Sequence, residues 1–284
     1  MPRIRPKLGV VLFLAEAMGW ERALAWARES GFEAIEVPVA RVLHPDRIDS
    51  STLAAVRSGC ADNGLHVIGV NSVYPFGEGY QMLSPDPAVR RRAVDYLKRV
   101  IDSNAEIGGQ VVTIGSPHAR SIPAGMSYEE GWKYAVEVFG EWAAYCEPRG
   151  QIVSLEVLNR YESNIGLTMD EGSRLIAEVG SRAVGLTPDT YHGNIDEDPI
   201  VGAIERNVRN LANFHMGDSN RQAPGQGNYD FHRTLGALVN AGYDRCISLE
   251  LMDVYIGVRL RQPFAEALEA GRNYLTRVLD DVMA

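Results

Sequence analysis

At 284 residues with 45% apolar content, the chain has room for two small domains or one large α/β domain with a sizeable core. The net charge of −9 argues against a nucleic-acid partner, which needs a basic stripe, and offers nothing to an anionic membrane surface. It leaves anionic small molecules open, because a metal ion or one arginine can reverse the sign locally.

The first apolar run, Leu8–Ala15, follows Arg3, Arg5 and Lys7 and so imitates a short signal peptide. Glu16 ends it and no small-residue cleavage site follows, so it reads as a first strand. An amphipathic helix is expected over Trp20–Ser30, with Gly31 as its stop, before the run Ala34–Val39. The run His66–Val73 precedes a long helix over Pro87–Ile107, for which Asp86 is the expected N-cap and Pro87 the first helical residue. Val111–Ser116 leads to a helix over Ser127–Cys146, and Ile152–Leu158 to one over Thr168–Val179. Both helices begin with a capping-box pair, Ser127/Glu130 and Thr168/Glu171. The runs Val184–Thr190, Leu211–Met216 and Cys246–Leu251 follow, and a helix over Phe264–Val282 ends the chain.

The eight runs are continuously apolar rather than alternating, as expected of parallel strands covered by helices. Gly31, Gly64, Gly108, Gly150, Gly180 and Gly242 each fall where a helix should end and a strand begin. No linker composition marks a boundary. The pattern predicts one domain over 1–284, an α/β (β/α)8 TIM barrel. An open doubly wound sheet would carry a glycine-rich phosphate turn after its first strand, and none follows Leu8–Ala15. Cys60, Cys146 and Cys246 are odd in number and widely spaced, which suggests neither a disulfide framework nor a zinc knuckle and points to the cytoplasm. No apolar stretch reaches the roughly 20 residues that span a bilayer.

Barrel enzymes place their chemistry at the C-terminal ends of the strands. There, Glu156, His215 and Glu250 sit inside apolar strands, and Asp189 ends the sixth run. A lone buried carboxylate is costly unless it is paired or binds metal, and four consecutive runs each supply one such ligand type. Three carboxylates and an imidazole suit one divalent ion of hard or borderline character, Mn²⁺ first, then Mg²⁺ or Co²⁺. Glu36 and Asn71 read as hydrogen-bonded interior residues, and Asp189 with His192 also reads as a capped turn.

The segments Glu156–Glu162, Asp189–Asp198 and Phe214–Arg221 resemble the ketose 3-epimerases of the D-tagatose 3-epimerase and D-psicose 3-epimerase type, within the xylose-isomerase-like barrels. The resemblance is specific over about Ile152 to Glu250. It implies that Glu156, Asp189, His215 and Glu250 hold the metal, that Glu156 and Glu250 are the acid/base pair, and that Glu162, His192 and Arg221 bind the O1–O3 end of a sugar. It also implies a small-molecule sugar substrate, a cis-enediolate intermediate and a homodimer or homotetramer.

The far end of the sugar pocket departs from the family at Val37–Arg41, at Gly115–Pro123 and after Glu250, where Leu251 stands in place of a frequent proline. That leaves an alternative outcome for the same centre, a lyase or decarboxylase acting on a 3-oxo sugar acid or 3-keto-glycoside. Arg41 and Arg120 read equally as anion-recognising residues or as rim residues. The glycine-rich segment Ala223–Phe231 reads as an anion cradle or, preferably, as a turn that positions Arg221. A DNA-repair endonuclease on this barrel would need more histidines at the strand ends and a basic face.

Overall fold

Eight short parallel strands carry the apolar runs: β1 (Lys7–Val11), β2 (Ala34–Pro38), β3 (His66–Asn71), β4 (Val111–Ile114), β5 (Ile152–Val157), β6 (Val184–Pro188), β7 (Phe214–Met216) and β8 (Cys246–Leu249). This is a computed structural model, and it describes residues 3–197, 199–255 and 257–284; Asp198, the end of one family-like segment, lies outside them. The strands hydrogen-bond in the order β6-β5-β4-β3-β2-β1-β8-β7. Single parallel bridges, Leu186 to Leu211 and Asp189 to His215, then join β6 to β7 and close the ring. The fold is the expected (β/α)8 barrel.

A helix follows each strand: α1 (Trp20–Glu29), α2 (Ser50–Asp62), α3 (Pro87–Ile107), α4 (Tyr128–Cys146), α5 (Met169–Val179), α6 (Ile200–Asn207), α7 (Phe231–Asn240) and α8 (Phe264–Met283). The predicted caps form. Ser127 Oγ accepts from the Glu130 amide at 3.1 Å, Thr168 Oγ1 from that of Glu171 at 3.1 Å, and Asp86 from that of Ala88 at 2.8 Å. The six predicted stop glycines all have positive φ, from 64° to 86°. At Gly108 and Gly180 this left-handed residue ends α3 and α5, a conformation in which any Cβ is strained.

Three helices escape the apolar pattern. In α2 the stripe Leu53, Val56 and Cys60 is diluted by small residues; α6 is short and entered through Pro199; α7 starts at the Asp230 cap, whose carboxylate accepts from the Arg233 amide at 3.0 Å. The apolar runs also overshoot the ladders. Regular pairing ends at Pro188 and Leu249, so Asp189 and Glu250 stand just beyond their strands, while Glu156 and His215 lie within theirs. Between β8 and α8 a two-stranded hairpin, β9 (Val254–Tyr255) with β10 (Val258–Arg259), folds beside the mouth.

Candidate active site

The ends of β5 to β8 converge on one buried cluster. One ligand atom each of Glu156, Asp189, His215 and Glu250 lies within 4.8 Å of all the others. Atoms that close can converge on one centre with small side-chain adjustments, so the four residues could together hold a metal ion. Crowding carboxylates of like charge in a dry place otherwise costs free energy.

The backbone makes room for the cluster. A Cβ on Gly115, just past β4, would lie 1.7 Å from Glu156 Oε2, so only glycine permits the Glu156 carboxylate to occupy this position. His215 Nδ1 is 3.3 Å from Glu156 Oε1, while its Nε2 is 3.1 Å from Glu36 Oε1 on β2. Glu36 thereby orients the ring, the usual arrangement behind a metal-binding histidine. Asn71, at the end of β3, donates to Glu250 Oε1 at 3.0 Å. The interior reading of Glu36 and Asn71 therefore holds, with named partners.

The electrostatics follow from this crowding. Burial pulls the His215 pKa down, but Glu36, Glu250 and Glu156 outweigh it and hold the imidazolium well above its ordinary value. Burial also raises the carboxyls. For Asp189 the Arg221 guanidinium, His192 and His215 reverse the effect and hold it well below the usual range. For Glu250, burial and the neighbouring Glu156 carboxylate push it up to about 7 against His215 and Arg221.

The three expected sugar-binding residues join this cluster. Arg221 donates to Asp189 Oδ2 at 2.6 Å and to Glu250 Oε2 at 2.8 Å. It is one of two non-glycine residues with positive φ among those described, at 58°, a strained setting of the kind found at functional sites. Its guanidinium lies over the rings of both Tyr191 and Tyr255, at 4.7 and 4.5 Å, where the two rings meet edge to face. Glu162 Oε1 accepts from Asn159 Nδ2 at 3.1 Å, and Oε2 accepts from the Tyr255 hydroxyl. His192 Nδ1 accepts from the Asn159 amide at 3.3 Å and from Asn159 Nδ2 at 2.8 Å. Burial lowers its pKa, so the ring is neutral and carries its proton on Nε2. Asp189 also caps the turn at Thr190–Asp196, accepting from the Tyr191 amide at 2.6 Å, so its two readings coincide.

A cleft of about 500 Å³ opens above the cluster, lined by Glu156, Glu162, His192, Arg221 and Glu250. Asp189 and His215 are fully buried beneath it. Tyr255, Tyr191 and Asn159 complete the surroundings. The sequence assigns no role to the two tyrosines, which sit in the short helix after Asp189 and in the hairpin, where no strand periodicity singles them out.

One expectation is corrected, and of the two readings of the glycine-rich segment the preferred one holds. Arg120 recognises no anion: it is fully buried and donates to the carbonyls of Glu156, Ile165 (2.6 Å) and Ile114 (3.3 Å), tying β4 and β5 to the following loop. Nor does the glycine-rich segment cradle an external anion. It wraps the chain's own Asp218, whose carboxylate accepts from the amides of Gly225 (2.8 Å) and Tyr229 (3.1 Å). A Cβ on Gly227 would lie 2.2 Å from Asp218 Oδ1. The turn closed by the Arg221 amide on the Asp218 carbonyl, 2.8 Å, positions Arg221 as preferred. Arg41 lies on the rim, 3.1 Å from Glu16.

Comparisons with known proteins agree with this geometry. The xylose isomerase-like TIM barrel family matches residues 24–277. The L-ribulose 3-epimerase of Mesorhizobium japonicum is 32% identical over 232 residues, 81% of this chain and 74% of that one. The D-psicose 3-epimerase of Agrobacterium fabrum is 30% identical over 78% of this chain and 75% of its own length. A solved L-ribulose 3-epimerase superposes with a TM-score of 0.86 at 26% identity, covering 99% of this chain and 96% of that one. The chain therefore belongs to the xylose isomerase-like TIM-barrel family, among the ketose 3-epimerases.

Proposed function

We propose that this protein is a divalent-metal-dependent epimerase that inverts C3 of a ketose or related keto-sugar through a cis-enediolate. The observation that carries the reading is the cluster itself: four ligand atoms within 4.8 Å, two of them from glutamates that also line the cleft. Glu156, Asp189, His215 and Glu250 would hold a divalent ion, Mn²⁺ by preference, which would supply Lewis acidity to stabilise the enediolate charge.

The chain's own residues do the rest. The C3 proton is acidic because it neighbours the C2 carbonyl. One of Glu156 and Glu250 removes it, and the other returns a proton to the opposite face. No electrons leave the sugar, so no redox partner is needed. Asp189 and His215, beneath the cleft floor, hold the ion without touching the sugar. His192 Nε2–H and the Arg221 guanidinium donate toward O1 and O2 as negative charge develops there. Glu162, held by Tyr255 and Asn159, accepts from a sugar hydroxyl. Incubation with Mn²⁺ and a ketose panel in D₂O should place deuterium at C3. Absence of exchange with every ketose and keto-sugar would overturn the reading.

A further inference from the structure

The metal-binding end accounts for only part of the cleft. Its outer part runs past Met252, Pro75 and Phe76 to Arg41 and Arg47. A second cavity of about 580 Å³, walled by Phe13, Leu14 and Phe264, adjoins it and shares Arg41 and Met252 with it. Pockets of roughly 300–1,000 Å³ enclose drug-sized ligands, so a single free ketose bound at the metal end leaves the outer cleft to water.

The chemistry of the outer cleft is uncharged on balance. Arg41 pairs with Glu16 at 3.1 Å and rests over the Phe13 ring; Arg47 pairs with Glu78 at 2.7 Å. His118 Nε2 is 3.3 Å from the Pro75 carbonyl, and burial lowers its pKa, so it is a neutral donor already engaged. Arg120 is buried away from the cleft, and Arg221 lies at its metal-binding end, paired with Asp189 and Glu250, not in the outer part. Among the described residues lining the cleft, every arginine and histidine has a partner, and the acidic net charge of −9 adds no attraction for an anion.

Phe76 is the most exposed apolar side chain of this rim, beside Pro75 and Met252. It is 87% exposed although it lines the cleft, and it is braced edge-on against the His118 ring at 5.2 Å between centroids. A lone exposed phenylalanine is ordinary on a surface. One braced on a neighbouring ring at the mouth of a proposed sugar site offers a flat apolar face to a ring.

We infer that the substrate is a keto-sugar whose end remote from the metal carries an uncharged ring-bearing substituent, such as a glycosyl group, which stacks on Phe76 in the outer cleft. This rests on the proposed epimerase chemistry for its reaction, but not for its binding. Three ketoses that differ only at O6 separate the possibilities: D-fructose, D-fructose 6-phosphate and 6-O-glucosyl-fructose. With the Mn²⁺-loaded protein, the glucosyl ketose should bind at least about tenfold more tightly than fructose by calorimetry, and the phosphate ester no more tightly than fructose. Phe76→Ala should remove most of that tenfold advantage.

Equal binding of fructose and the glucosyl ketose, tightest binding of the phosphate ester, binding of none of the three, or an undiminished advantage in Phe76→Ala would overturn the inference. Deuterium exchange at C3, followed on the same samples, tests the epimerase reading separately. Selective binding of the glucosyl ketose without exchange leaves the substrate class standing and removes the epimerase.

Discussion

The two halves of the barrel contribute to the site in different ways. Strands β5 to β8 supply every proposed metal ligand, from Glu156 to Glu250. Strands β1 to β4 supply none, and instead hold those ligands in place: Glu36 behind His215, Asn71 on Glu250, Gly115 beside Glu156, and Arg120 across the backbone of β5. The outer cleft, too, is built largely from the loops after β2, β3 and β4. The proposed reaction chemistry is concentrated in one half, and its support and the proposed outer substrate contact in the other. Substitutions in the two halves should therefore fail in different ways.

The largest effects are expected in the second half. Glu156→Gln and Glu250→Gln should each lower C3 deuterium exchange by roughly 10³-fold, the scale of losing a positioned acid or base. Circular dichroism should show an unchanged fold, because glutamine keeps the shape. Equal exchange in either variant would remove that residue from proton transfer.

In the first half, Glu36→Gln should leave proton transfer intact once metal is saturating, yet weaken Mn²⁺ binding by about 10–100-fold, the usual cost of losing the group behind a metal-binding histidine. Titration of Mn²⁺ into the metal-free variant checks this. Unchanged affinity would reduce Glu36 to a packing residue and weaken the division of labour. Arg120→Met acts on the link between the halves. It leaves the carbonyls of Ile114, Glu156 and Ile165 without their buried donor, so urea unfolding should show a loss of about 2 kcal/mol, or roughly 30-fold in the folding constant.

The same division decides what the sequence makes legible. Glu156, Asp189, His215 and Glu250 stand out because a charged or titratable residue in an apolar strand run needs a reason, and four such residues at successive strand ends share one. Glu36 looks the same in isolation as any hydrogen-bonded interior glutamate. Only the closed ring, which brings β2 across to β7, identifies His215 as its partner. Arg120 is ambiguous for a related reason: an arginine in a loop after a strand recognises an anion or satisfies carbonyls, and the choice depends on what surrounds it in space. The long helices were predictable from caps and stops, whereas α2 has a diluted apolar stripe, α6 and α7 are amphipathic but only eight and ten residues long, and the β9–β10 hairpin has two-residue strands.

Tyr255 is the test with the smallest expected effect, and it lies in the element that sequence periodicity missed. Its hydroxyl donates to Glu162, and its ring covers Arg221. One side chain thus ties together two proposed sugar-binding groups that come from different loops. Tyr255→Phe keeps the ring over Arg221 and removes only the hydroxyl, and Glu162 still accepts from Asn159 at 3.1 Å. A net hydrogen bond is worth about 0.5–1.5 kcal/mol, so exchange should fall by only about 3–10-fold, with Mn²⁺ affinity unchanged. Tyr255→Ala also strips one of the two rings from Arg221, and a desolvated cation–π contact adds up to about 2 kcal/mol. The alanine variant should therefore lose more in kcat than the phenylalanine variant. If the two lose equally, the hydroxyl carries the whole effect and the ring over Arg221 contributes nothing. If neither loses activity, the hairpin only covers the mouth, and the positioning of Glu162 and Arg221 rests on the strands and turns of the second half alone.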